Sequence, residues 1–72
     1  MQELRIESGT RLEIVHRRFG RFTVKASAPF STKDDEWPVQ LEQDSLRTNK
    51  KTYHRGSAVR CMRPDVINYF FV

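Results

Sequence analysis

The fold is constrained most by two strictly alternating runs on either side of a turn, Arg11-Leu12-Glu13-Ile14-Val15-His16-Arg17 and Arg21-Phe22-Thr23-Val24-Lys25-Ala26-Ser27. Period-two alternation places Leu12, Ile14 and His16 on one face of the first run and Phe22, Val24 and Ala26 on one face of the second, the pattern of two half-buried strands. With Arg17 opposite Arg21, the loop is Arg18-Phe19-Gly20, and Gly20 supplies the left-handed conformation that three-residue hairpin loops need at their last position. That pairing brings the two apolar faces together, whereas a one-residue slip would turn Phe22 and Val24 outward.

The remaining segments also read as short strands. Residues 4–7 alternate and lead into the turn Ser8-Gly9-Thr10, and a loop is expected over residues 28–36. In residues 37–41, Trp37, Val39 and Leu41 share a face, while Pro38, which lacks an amide donor, suits an edge strand or a strand beginning. Residues 42–53 hold only Leu46 and Tyr53 as candidate core residues and read as a turn of helix, capped by Asp44 or Ser45, or as a polar loop. Residues 58–62 point Val59 and Cys61 inward, and Arg63-Pro64-Asp65 interrupts the ladder.

Residues 66–72 are apolar on both faces and read as a central or covered strand with Phe70 or Phe71 in the core. A short helix with Pro64 at its first position is the alternative. Five or six short strands predict a mainly β single domain over residues 1–72. Its form is a small antiparallel curled sheet or barrel of the SH3-like or OB-like class, with at most one short helix.

Composition narrows the function classes. A chain of 72 residues buries only about 60% of the surface its unfolded form exposes, so a deep, multi-element enzymatic cleft is not expected. The lone Cys61 cannot form an internal disulfide, which points to a reducing, cytoplasmic setting. The first residues lack a signal-peptide pattern and no window approaches a membrane span, so a soluble protein without membrane partners is expected.

Charge is segregated along the chain. Arg11, Arg17, Arg18, Arg21 and Lys25 are opposed only by Glu13 within their stretch. Lys33 is then outnumbered by Asp34, Asp35, Glu36, Glu42 and Asp44, and Arg47, Lys50, Lys51, Arg55, Arg60 and Arg63 follow with no acid between them. With a formal net charge of +4, this layout either steers an anionic partner to one side or lets the acidic and basic segments pair within the fold and cancel, and the sequence alone does not choose between them.

The hairpin combines cations with an aromatic at Arg17, Arg18, Phe19, Arg21 and Lys25, and the second basic block repeats the combination at Arg47, Lys50, Lys51, Tyr53 and Arg55. Guanidinium groups grip phosphates and exposed rings stack on unpaired bases, which is what single-stranded DNA or RNA binding requires. If both blocks fall on one side, they form a groove. Phe19 either joins that groove or folds back onto the core.

Catalytic chemistry has little to build on. Cys61, mid-strand and inward, behaves as a small hydrophobe; His16 ends an apolar face, His54 sits among cations, and no zinc spacing is present. No enzyme activity, cofactor or metal is expected. No family motif is complete in the chain. The rival reading is a protein-interaction module, a small regulator or inhibitor of a larger complex, with Trp37, Met62 and Tyr69 as its contact residues and a homodimer as one form it could take.

Overall fold

The structure is a computed structural model that describes residues 3–72. Period-two alternation is realised as β1 (Arg5–Ile6), β2 (Arg11–His16), β3 (Gly20–Ala26), β4 (Phe30–Ser31), β5 (Glu36–Leu41), β6 (Ser45–Arg47), β7 (Thr52–His54), β8 (Ala58–Met62) and β9 (Val66–Phe71). A 3-10 turn over Arg63–Asp65 joins β8 to β9, with Pro64 in its first turn, and no α-helix occurs among the described residues. The domain is mainly β, as the alternation predicts.

Five strands form one antiparallel sheet in the order β8-β5-β3-β2-β9, while β1 pairs with β4 and β6 with β7 in two small ladders. Strands β2, β3, β5 and β8 neighbour one another in chain order, and β9 returns to pair with β2 on its other side. Leu12, Ile14, Phe22, Val24, Trp37, Leu41, Val59 and Cys61 are buried on the inner face of this sheet. The β1–β4 pair covers that core where Phe30 meets Trp37, with ring centroids 5.1 Å apart. The β6–β7 ribbon covers it where Tyr53 meets Phe19, at 6.3 Å.

The β2–β3 hairpin forms as expected, but two residues out of the predicted register. His16, not Arg17, begins the turn and pairs with Gly20, leaving Arg17, Arg18 and Phe19 as the loop. The cause is the His16 side chain: its Nδ1 accepts the backbone N–H of Arg18 and that of Phe19, each at 3.1 Å, and so closes the turn one residue earlier. Because the shift is by two, side-chain parity survives, and Leu12, Ile14, His16, Phe22, Val24 and Ala26 all still face inward. Gly20 is left-handed, with φ of +78°.

Four other expectations are corrected. The loop over residues 28–36 contains β4, whose buried Phe30 closes onto β1 through the Ile6↔Phe30 pair. Strand β5 is not an edge: Pro38 lies between β3 and β8, tolerated because its carbonyl, and hence its missing donor, faces Ser27 just beyond the last β3 pairing. Residues 42–53 hold no helix, and the expected polar loop is confined to residues 42–44 and 48–51, which flank and join two short strands. Those strands, β6 and β7, make a two-stranded ribbon in which Leu46 pairs with Tyr53, so the segment's two apolar residues become one cross-strand contact.

Strand β9 is an edge strand, not a central one. It pairs with β2 alone, and Ile67, Phe70, Phe71 and Val72 are exposed, so neither terminal phenylalanine is in the core. Only Val66 is buried on this strand, and Tyr69 is half-buried against Trp37, edge-on at 5.5 Å.

Candidate nucleic-acid interface

Three elements meet at the tip of the β2–β3 hairpin. The hairpin contributes His16, Arg18 and Phe19; the turn between β6 and β7 contributes Thr48, Asn49, Lys50 and Lys51, with Tyr53 behind them; and Arg60 and Met62 of β8, with Asp65 of the 3-10 turn, complete the lining. Together they enclose a cleft of about 640 Å³. The two basic blocks of the sequence therefore meet across one cavity, the arrangement their spacing left open.

Local chemistry fixes each wall. At the hairpin tip, the Phe19 ring stacks on the His16 imidazole at 4.2 Å and within 5° of parallel, so the tip folds inward and leaves Arg18 exposed beside it. In the ribbon, Thr48 Oγ1 accepts the N–H of Lys51 at 3.2 Å and donates to the Lys51 carbonyl at 2.8 Å. This hydroxyl reinforces the backbone bond in which the Thr48 N–H donates to the same carbonyl at 2.9 Å, closing a tight polar turn that carries Lys50 and Lys51. The Lys51 ammonium lies 4.4 Å from the Tyr53 ring centroid, in cation–π contact.

The cleft is strongly cationic. Arg18, Lys50, Lys51 and Arg60 line it and take part in no ion pair among the described residues, whereas Asp65 is its only acid. Asp65 is itself engaged, 3.8 Å from His16 Nε2 and 3.9 Å from Arg17. Burial holds the His16 imidazole below its usual pKa of 6.5; Asp65 pulls the other way, and Arg18 and Arg17 reinforce the depression. His16 is therefore neutral at pH 7, with Nδ1 free to accept.

Of the residues expected from sequence to bind nucleic acid, Arg18, Phe19, Lys50, Lys51 and Tyr53 line the cleft, and Arg17, Arg21, Lys25, Arg47 and Arg55 do not. Arg17 turns to Asp65 at the rim. Arg21 lies on the outer face of the sheet, 3.9 Å from Glu13 and 5.9 Å from the Phe70 ring centroid. Lys25 pairs with Arg11 at the end of the hairpin remote from the tip. Arg47 is exposed on β6 opposite Thr52, and Arg55 pairs with Asp44 at 3.1 Å and Glu42 at 3.7 Å.

Sequence reasoning did not assign Arg60, Thr48, Asn49 or His16 to the site. The alternation of β8 was a usable signal for Arg60, since inward Val59 and Cys61 require Arg60 to point the other way.

The aromatic rings are committed internally. One face of Phe19 is covered by His16, and Tyr53 is only 8% exposed with Lys51 above it. The cleft therefore presents ammonium and guanidinium groups over an aromatic floor, a surface better fitted to phosphates than to intercalated bases.

Elsewhere, burial together with the charges of Asp65 and Glu36 pushes the Cys61 thiol up to about 12, so it is fully protonated at neutral pH. Among the described residues, no group of three or more His, Cys, Asp or Glu side chains converges as metal ligands, and no helix is long and apolar enough to cross a membrane. Comparison with family models, curated proteins and solved structures gives no match to this chain.

Proposed function

We propose that this protein binds single-stranded nucleic acid, RNA or DNA, through backbone phosphates seated in the cleft between the β2–β3 tip and the β6–β7 ribbon. The observation that carries this reading is the convergence of Arg18, Lys50, Lys51 and Arg60, drawn from three separate segments, on one cavity whose single acid among the described residues, Asp65, is ion-paired with His16 and Arg17 and with none of the four. Structural cations on a small domain usually scatter or pair with neighbouring acids, as Arg21 and Arg55 do here.

A domain measuring 32 × 22 × 19 Å spans only a short stretch of strand, on the order of four nucleotides. The cleft lies between two hairpins, which admits a single backbone more readily than a duplex. Recognition is electrostatic and weakly dependent on sequence.

Fluorescence-anisotropy titration with labelled single-stranded RNA, single-stranded DNA and duplex DNA at two salt concentrations tests the proposal. The expected result is salt-sensitive binding that favours single strands, with a log-log slope of about −0.7 per phosphate contacted. Absence of binding at physiological salt rejects it.

One observation favours a second reading, a protein-interaction module. Ile67, Phe71 and Val72 are each more than half exposed along an edge strand, an uncommon concentration of apolar surface for so small a domain. The contact residues shift in consequence. Trp37 is 1% exposed and unavailable, Met62 belongs to the cleft, and Tyr69 is half-buried. A partner at β9 would make affinity sensitive to Phe71→Ser and nearly indifferent to salt.

A further inference from the structure

We infer that the cleft is gated by protons: charging His16 releases the hairpin tip that carries Arg18 and Phe19, and so weakens the hold on single-stranded nucleic acid. The gating of affinity rests on the nucleic-acid reading above; the opening of the tip rests on the hairpin geometry alone.

His16 is 3% exposed, and its Nδ1 is the shared acceptor for the N–H groups of Arg18 and Phe19. An imidazole can accept there only when neutral, with its proton on Nε2, because the imidazolium is a donor at both nitrogens. Protonation therefore cannot occur in place. It sets an N–H against two N–H groups, and the turn must open for the charge to be accommodated.

The surrounding charges fix where this happens. Asp65 of the 3-10 turn favours the imidazolium, while Arg17 and Arg18 of the tip oppose it. Arg60 of β8, Lys50 and Lys51 of the ribbon and the Tyr53 ring line the same cleft. Burial and the two tip arginines prevail over Asp65, so the tip is closed at neutral pH and opens only below the ordinary histidine pKa of 6.5.

The sign is diagnostic. A surface histidine beside phosphates binds them more tightly as it gains charge. Here the new charge arises behind the Phe19 ring and beside Asp65, which would offset it, while the loss of the tip removes Arg18 from the cleft. Affinity should therefore fall with acid.

The test is an NMR pH titration of the ¹⁵N-labelled protein from pH 7.5 to 5, paired with anisotropy measurements on a single-stranded oligonucleotide bearing a pH-insensitive label. The Arg18 and Phe19 amides should shift and exchange faster with the same midpoint as the His16 ring, below 6.5. One unit below that midpoint, apparent affinity should be about tenfold weaker.

His16→Asn places a non-titrating acceptor at the equivalent side-chain position and should flatten the pH dependence. His54→Gln, which alters the exposed histidine on β7, should not. Tip amides that stay unperturbed while His16 titrates would overturn the gate, as would His16→Asn retaining the wild-type profile. If no oligonucleotide binds at either pH, the nucleic-acid reading and the gating of affinity fail together, and the amide titration decides separately whether the tip opens.

Discussion

Two hairpins face each other across the cleft, and they are held in opposite ways. The β2–β3 hairpin pairs over six residues, sits between β9 and β5 in the five-stranded sheet, and rests on fully buried Phe22, Val24, Leu12 and Ile14. The β6–β7 ribbon pairs over three residues and joins no other strand, and its buried contact with the core comes from Leu46 and Tyr53, each 8% exposed. Both carry cations to the same cavity. The difference teaches that one wall sets the geometry while the other can adjust to what lies against it, because opening a short peripheral ladder exposes little apolar surface.

Four substitutions or titrations would break or sharpen that contrast. The largest effect is expected at Phe22→Ala, beneath the rigid wall: loss of a fully buried ring that packs near both His16 and Phe19 should cost about 3–5 kcal/mol, read as a lowered urea midpoint. Next comes the triple replacement of Arg18, Lys50 and Lys51 by alanine. It should leave the urea midpoint nearly unchanged yet weaken single-strand binding by more than about tenfold and flatten the log-log salt slope by about 2. Equal affinity for the triple variant and the wild type would place the ligand elsewhere.

A pH series of urea melts gives a smaller effect. Since the folded-state pKa of His16 is depressed below 6.5, above that value both folded and unfolded chains hold it neutral and its contribution to stability is complete. As pH falls below 6.5, the unfolded chain takes up the proton first, and stability declines until the folded-state pKa is passed. His16→Asn should remove this component. The smallest effect belongs to the outward cations. Replacing Arg17 and Arg21 by alanine should change stability by no more than about 1 kcal/mol, because exposed pairs at such distances contribute little, and should change affinity far less than the cleft triple variant does.

The contrast between the walls also shows what the chain made legible. Strict alternation in β2 and β3 revealed both strands and their buried faces, because each residue's burial follows from its parity alone. The register was off by two because a side chain, His16, competes with the backbone for the turn amides, a contact no periodicity encodes. The ribbon was illegible for a different reason. Leu46 and Tyr53 stabilise it only when already opposite each other, so neither strand shows a pattern by itself. In β9, the run of apolar residues indicated a strand but not its place, since whether a strand is central depends on how many neighbours the topology provides.

The candidate site divides along the same line. Arg18, Phe19, Lys50, Lys51 and Tyr53 could be picked out as cations and aromatics clustered in two blocks. Arg17, Arg21 and Arg55 belonged to the same clusters, yet acids brought near by folding engage them instead. Local charge density identified the segments; three-dimensional neighbours determined which members of each segment face the cavity.

The exposed edge of β9 is the competing surface, and the two surfaces can be separated in a single experiment. Titration of ¹⁵N-labelled protein with an unlabelled single-stranded oligonucleotide, followed by amide chemical shifts at pH 7.5, tests the central claim most directly. The account predicts salt-sensitive perturbations at Arg18, Phe19, the Thr48 to Lys51 turn and Arg60, with Ile67 to Val72 unmoved. Perturbations confined to β9, or none at an excess of oligonucleotide, would contradict it.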